Sequence, residues 1–476
     1  MEEKENKIQN EESKKEPKKF NRRDFLKIAG VTTAIGAAAG AINLTTPGVA
    51  MADYMAPSQA GLKGAIKYLD VPRYDLPPFA DGSKLPRFNE EMTAFNNLDF
   101  AKQFCNGTSW MNILFGKRAE KVKSGDPGFS LREFAFAMGC QKDMYNPILT
   151  DWGTKYEAAL PKALGKWEDT PENNSKAVKK FASFCNECAV GITEMKENWY
   201  YTRSATHQDI IISDEYTKPE QLEKEWHIPK SMNRVIVIAL PMDGAFMAKY
   251  SNTAMALAPV YLGYSDMTES VGKLATFIRE LGYNAIPMGN DTAVSPPMAA
   301  AAGLGEIGRH GLLINPEYGS MLRLAKVVTD MPLAIDKPIS FGAVEFCKTC
   351  KKCAIHCPSK SIPMDDEPGT TIACGSNNPG AKRWITNTWT CLQYWIERKT
   401  EGCPYCIAAC PYSKPDSWIH SAVKVVSSKT SAFNSIFIKM DDAFGFGTEM
   451  KNYTQADIDA WWNDPKDRMF NWKHKR

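Results

Sequence analysis

The hydrophobic positions between about residues 172 and 330 follow two different periods. Residues 235–240, Val-Ile-Val-Ile-Ala-Leu, form a continuous apolar run, which is typical of a strand buried on both faces. Farther along, apolar residues recur at the spacing of one helix face, and Gly282 stands where helices commonly end. The residues of this face are Val271, Leu274, Ala275, Ile278 and Leu281.

The same reading predicts further elements on either side of these two. A helical period covers residues 175–189, and short apolar runs predict strands over 284–288 and 322–329. Because helices and strands alternate, we predict an α/β domain over residues 166–335.

The segments outside this domain differ in composition. Residues 53–165 are rich in Pro, Met and aromatic residues, with scattered helical stretches such as 131–138, so we predict an irregular N-terminal cover. Residues 336–420 contain nine of the thirteen cysteines and form a separate predicted domain. Residues 421–476 are a Trp- and Phe-rich C-terminal extension.

Residues 1–52 predict an export signal. Their first part is almost wholly charged or polar and cannot bury enough apolar surface to fold. Residues 22–27, Arg-Arg-Asp-Phe-Leu-Lys, then precede a moderately apolar stretch that ends at Ala-Met-Ala, a small-x-small cleavage pattern. This resembles a twin-arginine signal, a route for folded proteins, and we expect the mature chain to start near Asp53. A transmembrane anchor is the alternative, but glycines and threonines make the stretch a weak span.

The charge balance excludes one class of partner. The chain carries 58 Lys and Arg against 55 Asp and Glu, a net charge of +3. Beyond residue 52 the balance is 49 against 48. We therefore expect no nucleic-acid partner, because such partners require a basic surface.

Two tight arrays hold eight of the cysteines. Residues 347–358 read Cys-x-x-Cys-x-x-Cys-x-x-x-Cys-Pro, and residues 391–411 read Cys-x11-Cys-x-x-Cys-x-x-x-Cys-Pro. This spacing is typical of [4Fe–4S] ligands, and in two-cluster ferredoxins the fourth cysteine of each array ligates the other cluster. The predicted first cluster is held by Cys347, Cys350, Cys353 and Cys410, and the second by Cys357, Cys391, Cys403 and Cys406.

Some of these assignments have alternatives. Cys374 is the rival of Cys391, because a gap of 11 residues between Cys391 and Cys403 departs from the compact pattern. Zinc is the alternative metal, since Cys-x-x-Cys pairs also bind zinc, but the eightfold pattern with two Cys-Pro ends favours iron–sulfur clusters. No role is predicted for the remaining cysteines, two of which form a Cys-x-x-Cys pair on a predicted helix: Cys105, Cys140, Cys185 and Cys188.

A glycine motif follows the predicted strands. Gly303, Gly305 and Gly308 fit G-x-G-x-x-G, but a dinucleotide site needs a strand directly before the first glycine. Residues 298–302, Met-Ala-Ala-Ala-Ala, are helical in character instead. We therefore favour a loop that approaches another large cofactor over a nicotinamide or flavin site. Arg309 and His310 directly follow the loop, and they either contact cofactor phosphate or cap the turn.

Several further stretches occur in one order along the chain. Besides the leader and the cysteine arrays, they are LGYS at 262–265, LGY at 281–283, GNDT at 289–292, the glycine stretch at 303–314 and RLAKVVTD at 323–330. Together they resemble the corrinoid-dependent reductive dehalogenases of organohalide-respiring bacteria. The resemblance is continuous from about residue 175 to 415. The acid- and lysine-rich leader is similar to that of the branch that reduces chloroalkanes such as chloroform.

The resemblance implies a fold, cofactors and a site. It implies a mixed α+β and α/β chain in which a nitroreductase-like domain binds a base-off corrinoid and a ferredoxin-like domain binds two [4Fe–4S] clusters. The sequence has no Asp-x-His-x-x-Gly for a cobalt-ligating histidine, as base-off binding without a protein ligand requires. The matching positions make Tyr264 the proton donor, Arg323 the cation that stabilises its phenolate, and Asn290 the amide beside them. We expect a dry apolar pocket, with Trp389, Trp395 and aromatic residues of the N-terminal cover as candidate walls.

The implied activity is reductive removal of halogen from a chlorinated alkane or alkene. The implied partners are that small hydrocarbon, a donor from the membrane electron-transport chain and a small integral-membrane anchor protein, at the outer face of the cytoplasmic membrane. Two other functions stay open from sequence. One is a cytosolic epoxyqueuosine reductase, which the export signal disfavours, and the other is an exported ferredoxin-like carrier, which would not need residues 172–330.

Overall fold

A computed structural model describes most of the chain beyond the leader. The described residues are 66–70, 86–153 apart from 142, 145 and 148, 162, 164–398 apart from 187, 402–413, 424, 426–443 and 453–464. All of them belong to one compact unit, Val49–Arg476. The predicted export signal lies outside the described residues, and the predicted domain boundaries stay predictions.

The N-terminal half contains six helices and seven strands among the described residues. The helices are α1 Leu98–Cys105, α2 Trp110–Lys123, α3 Leu131–Gly139, α4 Pro171–Cys185, α5 Gly244–Lys249 and α6 Leu257–Glu280. The strands are β1 Lys67–Tyr68, β2 Ala189–Glu194, β3 Asp209–Ser213, β4 Glu220–Gln221, β5 Glu225–Pro229, β6 Arg234–Pro241 and β7 Ala285–Met288.

The C-terminal half is mostly helical where it is described. Its helices are α7 Ser295–Ala301, α8 Ala343–Cys350, α9 Lys352–Ile355, α10 Thr388–Arg398, α11 Tyr405–Ala408, α12 Asn434–Ala443 and α13 Gln455–Asn463. Its strands are β8 Glu306–Ile307, β9 Leu313–Ile314, β10 Leu322–Thr329 and β11 Ile339–Ser340.

The centre of the fold is a four-stranded antiparallel sheet in the order β2-β6-β10-β7. The apolar run of β6 is buried on both faces, as predicted. Val235, Val237 and Ala239 pack into one core cluster, and the alternating residues Ile236, Ile238 and Leu240 pack into another. Because successive strand residues point to opposite faces, one unbroken apolar run supplies both cores.

Helix α6 covers one face of this sheet. The predicted face residues Val271, Leu274, Ala275 and Ile278 are all buried against the alternating residues of β6 and β10. The helix ends at Glu280, and Gly282 follows with a φ of +89°. A side chain would be strained in that conformation, so the glycine ends the helix as the sequence indicated.

Three predictions about elements are corrected by the structure. The helix predicted over 175–189 is α4, which ends at Cys185, and the edge strand β2 begins at Ala189. The N-terminal cover is not irregular, because it contains three helices, α1 to α3. The alternating pattern indicated α/β, but the central sheet is antiparallel, which places this domain in the α+β class.

The C-terminal extension packs against the cover and the domain. Ile458 of α13 is fully buried, and Trp461 packs against the aromatic rings of Phe136, Phe246 and Tyr250. Asp441 of α12 forms a buried ion pair with Lys352, which stands between two of the predicted cluster ligands. The extension is therefore part of the same packed unit.

Within the described part of the chain, no helix combines the length and the apolar character that crossing a membrane requires.

Candidate active site

The three residues predicted to be catalytic lie together. The Asn290 amide Nδ2 donates a hydrogen bond to the Tyr264 hydroxyl at 2.9 Å, and Arg323 Nη1 donates to the same oxygen at 3.3 Å. The Arg323 guanidinium carbon lies 4.0 Å from the centre of the Tyr264 ring. Asn290 and Arg323 therefore both donate to one phenol oxygen, and the Arg323 guanidinium also lies over the ring.

The fold explains why residues 59 positions apart meet. Arg323 points to the same face of β10 as Ala325 and Val327, which pack under helix α6. Tyr264 lies one turn before Met267 on the buried side of that helix. A side chain on Gly263 would come within 3.0 Å of Arg323 Cγ, so the glycine allows the arginine to approach the helix closely.

Asn290 is presented by an unusual turn directly after β7. Thr292 is fully buried and has a φ of +67°, which is rare for a β-branched residue. The Asp291 side chain accepts a hydrogen bond from the Gly289 amide at 2.7 Å, and the Thr292 carbonyl accepts one from the Tyr201 amide at 2.9 Å. A strained backbone conformation that is held by surrounding contacts is common at functional sites, because it keeps a side chain in one place.

A buried lysine that the sequence reading did not single out supports this turn. Lys326 has no solvent exposure, and its Nζ donates to the Gly289 carbonyl at 2.5 Å, the Asp291 carbonyl at 3.1 Å and Ser295 Oγ at 3.0 Å. The Lys326 side chain points to the face of β10 opposite that of Arg323, so it reaches the turn from the other face of the sheet. A lysine within a fully buried strand was the signal in the sequence that could have revealed it.

Two acids share this buried environment. Burial lowers the pKa of Lys326 to about 8, against the opposing effect of Asp291 and Glu90. Burial, and then the charge of Asp291, raises the pKa of Glu90 to about 7. The group is held by hydrogen bonds as well as charge, since Glu90 also accepts one from the Ala205 amide at 3.1 Å.

We expect Lys326→Met to weaken catalysis without touching any of the three residues. Loss of the ammonium frees the carbonyls of the turn, and a shift of about 1 Å at a positioned group lowers rates by as much as about a hundredfold. We predict a fall in kcat of about ten- to a hundredfold, measured per bound cofactor. The matched control is Lys179→Met. It removes another buried lysine, whose Nζ lies 2.7 Å from Asp336 Oδ1. Equal losses of kcat in both variants would contradict a positioning role.

The structure brings the predicted ligands of the first cluster around one cavity. Cys347, Cys350 and Cys353 of the first array line it together with Cys410 of the second. The other lining residues are Arg309, His310, Phe346, Lys351, Pro411 and Tyr412. The cavity therefore contains the crossed set that the ferredoxin pattern predicts.

The remaining array cysteines form a second group. Cys357 and Cys403 are close enough to Cys391 to raise the pKa of its thiol, after burial, to about 12. The same neighbours act on Cys406, whose thiol pKa burial raises well above its usual value. Cys374 is instead hydrogen-bonded to Asn377 and Thr388. This placement favours Cys391 over Cys374 as a ligand.

Both groups of thiols fit an iron–sulfur core. Burial raises the pKa of Cys350 to about 12 and that of Cys403 to about 11, so these thiols keep their protons unless a cation compensates. Coordinated iron supplies that compensation. Across the described residues, no three Cys, His, Asp or Glu side chains converge closely enough for a single metal ion.

The glycine motif has a packing explanation. Helix α7 precedes it, as predicted, so the dinucleotide arrangement is absent from this described segment. Gly303 has a φ of +75°, and a side chain on Gly305 would come within 2.1 Å of the Ile314 carbonyl. These glycines, with Gly308 against the Ile314 side chain, allow the backbone around the β8–β9 hairpin to pack closely. A role for them in cofactor binding stays a prediction.

The residues after the motif lie at the first cysteine cavity. Arg309 is fully buried, and its five N–H groups donate to the carbonyls of Cys347, Lys348, Pro363 and Asp365. Its donors are thus all used by backbone carbonyls within and after the first cysteine array. Burial lowers the pKa of His310 to about 4.

A short packed path joins the second cysteine group to the polar site. Ile407, the residue after Cys406, packs against a cluster that contains Met242 and Met321. Met242 in turn lies against Gly263, next to Tyr264. The predicted pocket walls Trp389 and Trp395 pack with aromatic residues of the cover, which include Phe100 and Trp110, and their role as pocket walls stays a prediction.

The comparisons with known proteins agree with this architecture. No family model matches the chain. A solved catabolic reductive dehalogenase has a TM-score of 0.64 at 22% identity, over 83% of this chain and 50% of that one. A second solved reductive dehalogenase, described in connection with B12-dependent dehalogenation, has a TM-score of 0.60 at 22% identity, over 80% of this chain and 49% of that one. The chain thus spans about half the length of these two solved chains, and it has the reductive dehalogenase fold.

The sequence comparison identifies the family. The tetrachloroethene reductive dehalogenase of Sulfurospirillum multivorans is 32% identical over an alignment of 420 residues, and the match covers 80% of this chain and 83% of that protein. The chain belongs to the reductive dehalogenases, and it is an oxidoreductase that acts on carbon–halogen bonds.

Proposed function

We propose that this protein reduces a small chlorinated alkane or alkene at the Tyr264–Asn290–Arg323 site, with electrons supplied through two [4Fe–4S] clusters and a corrinoid. The observation that carries the proposal is the convergence of Asn290 and Arg323 on the Tyr264 hydroxyl. The reaction takes up two electrons and one proton, breaks the carbon–chlorine bond, forms a carbon–hydrogen bond and releases chloride.

Tyr264 is the proton donor in this proposal. Transfer of its proton leaves a phenolate, which the hydrogen bonds from Asn290 and Arg323 stabilise. General acid catalysis of this kind contributes about a hundredfold to ten-thousandfold in rate.

The two groups of cysteines would hold the clusters as crossed sets. Cys347, Cys350, Cys353 and Cys410 would hold the first cluster, and Cys357, Cys391, Cys403 and Cys406 the second. Ile407, the residue after Cys406 of the second group, packs against a cluster that contains Met242, and Met242 lies against Gly263 beside Tyr264. We therefore propose that electrons pass from the first cluster to the second and then to the active site.

A corrinoid would supply a cobalt centre able to accept both electrons next to the substrate. The donor set agrees with a base-off corrinoid, because three of the four described histidines are engaged elsewhere and the fourth, His356, lies between Cys353 and Cys357 along the chain. His310 lines the first cysteine cavity, His207 pairs with Glu91 and His227 stacks on Tyr216. The work left to the protein is to position the halocarbon, exclude water and deliver one proton from Tyr264.

The location and partners follow from the leader and the family. We propose export by the twin-arginine route to the outer face of the cytoplasmic membrane. There a small integral-membrane protein would hold the enzyme, and the electron-transport chain would reduce its first cluster. The relative from Sulfurospirillum multivorans is named for tetrachloroethene, which makes chlorinated ethenes one substrate class and chloroalkanes the other.

Metal content separates this function from that of an electron carrier. We expect purified, reconstituted protein to contain cobalt as well as iron for two clusters. It should release chloride from at least one member of a panel of chlorinated ethenes, chloroform and trichloroethane, with reduced viologen as donor. Iron without cobalt, and no chloride from any member of the panel, would favour the ferredoxin-like carrier.

A further inference from the structure

One buried histidine has a hydrogen-bond donor that the protein does not use. The imidazole of His310 is buried, and its Nδ1 accepts a hydrogen bond from the Leu312 amide at 3.2 Å. A protonated imidazole has no acceptor nitrogen, so this ring must be neutral with its proton on Nε2. Among the described residues, Nε2 has no hydrogen-bond partner, although it is shielded from solvent.

The place of this donor is the second observation. His310 lines the cavity between Cys347, Cys350, Cys353 and Cys410. A buried N–H without a partner is costly, because it has lost its hydrogen bonds to water, and such groups in native proteins usually meet an acceptor. The acceptors that the cavity would contain are the thiolate and sulfide sulfurs of a cluster.

The surrounding turn fixes the ring rather than leaving it free to rotate away. The Gly308 amide donates to the Leu312 carbonyl and the Gly311 amide to the Gly308 carbonyl, both at 2.9 Å. A side chain on Gly308 would come within 3.0 Å of His310 Cε1. Arg309, the preceding residue, ties the same turn to the Cys347 carbonyl at 2.8 Å and 3.1 Å.

We propose that His310 Nε2–H donates a hydrogen bond to a sulfur of the first cluster and thereby raises the reduction potential of that cluster. The inference rests on the proposed function, because it requires a cluster in this cavity. The reduced cluster carries one more negative charge than the oxidised one, so a donor to its sulfur stabilises the reduced form more. His310 is then a positioning and tuning residue of the electron path, not a contact of the corrinoid.

The test compares two replacements by redox titration followed by electron paramagnetic resonance. His310→Leu removes the donor, whereas the amide of His310→Gln can still reach the cavity. We expect His310→Leu to lower the equilibrium constant for reducing the first cluster about tenfold, which is 59 mV for a one-electron couple. The potential of the second cluster should not change, and His310→Gln should stay close to the wild type.

A spectroscopic readout makes the test independent of activity. In wild-type protein with ¹⁵N-labelled histidine, pulsed resonance should detect a nitrogen and an exchangeable proton coupled to the reduced first cluster, and His310→Leu should lose both. Unchanged potential and couplings in His310→Leu would overturn the inference while leaving the proposed function intact. Wild-type protein that assembles a single cluster, held without Cys347, would overturn both.

Discussion

Replacing Tyr264 by phenylalanine is expected to lower the rate of chloride release by about a hundredfold to ten-thousandfold, the usual contribution of a positioned general acid. The substitution removes one oxygen, on which Asn290 at 2.9 Å and Arg323 at 3.3 Å converge. The ring itself stays, so its packing against the guanidinium at 4.0 Å should persist. The measurement is chloride release per bound cobalt, with reduced viologen as donor.

The control for this variant is another tyrosine close in sequence. Tyr283 follows helix α6, and its hydroxyl donates to the Trp167 carbonyl at 2.7 Å, away from the site. Tyr283→Phe should therefore leave chloride release unchanged. Near-normal turnover by Tyr264→Phe with full iron and cobalt loading would exclude Tyr264 as the proton donor.

The second large effect is expected for Cys410→Ala. Although Cys410 belongs to the second array in sequence, it lines the cavity of the first. We expect Cys410→Ala and Cys350→Ala to change the same electron paramagnetic resonance signal, that of the first cluster. Turnover should be lost, because a break in the electron path stops both electrons.

The pairing of the arrays decides the outcome of this experiment. If each array held its own cluster, Cys410→Ala would alter the same signal as Cys403→Ala. The matched control is Cys374→Ala. Because Cys374 is hydrogen-bonded to Asn377 and Thr388, this variant should leave the iron content unchanged. A loss of iron in that variant would instead make Cys374 a ligand.

The strongest patterns in the sequence predicted the elements that hold the site. The continuous apolar run of β6, the predicted strand 322–329 and the helix that ends before Gly282 are all present. In each of these elements the pattern of apolar residues in the segment itself marks which side is buried. The direction of the strands was not predictable in this way, because an apolar run has the same period in parallel and antiparallel sheets.

The parts that the sequence did not reveal depend on tertiary contacts. The three-stranded sheet of β3, β4 and β5 is short and partly exposed, and its longest apolar run is the three isoleucines of β3. Lys326 looked like one charge in a strand, whereas three buried acceptors around its ammonium define its role. The glycine motif looked like a cofactor loop, whereas the Ile314 carbonyl 2.1 Å from a Gly305 side chain explains one of its glycines by packing.

Chloride release tests the central claim most directly. Reconstituted protein with measured iron and cobalt is mixed with tetrachloroethene, trichloroethene, chloroform or trichloroethane and a counted supply of reduced viologen. The account predicts one chloride for every two electrons consumed, with the proton of the product taken from the solvent through Tyr264, and much slower release by Tyr264→Phe. Viologen that stays reduced in fully loaded wild-type protein, with no chloride from any of these compounds, would contradict it.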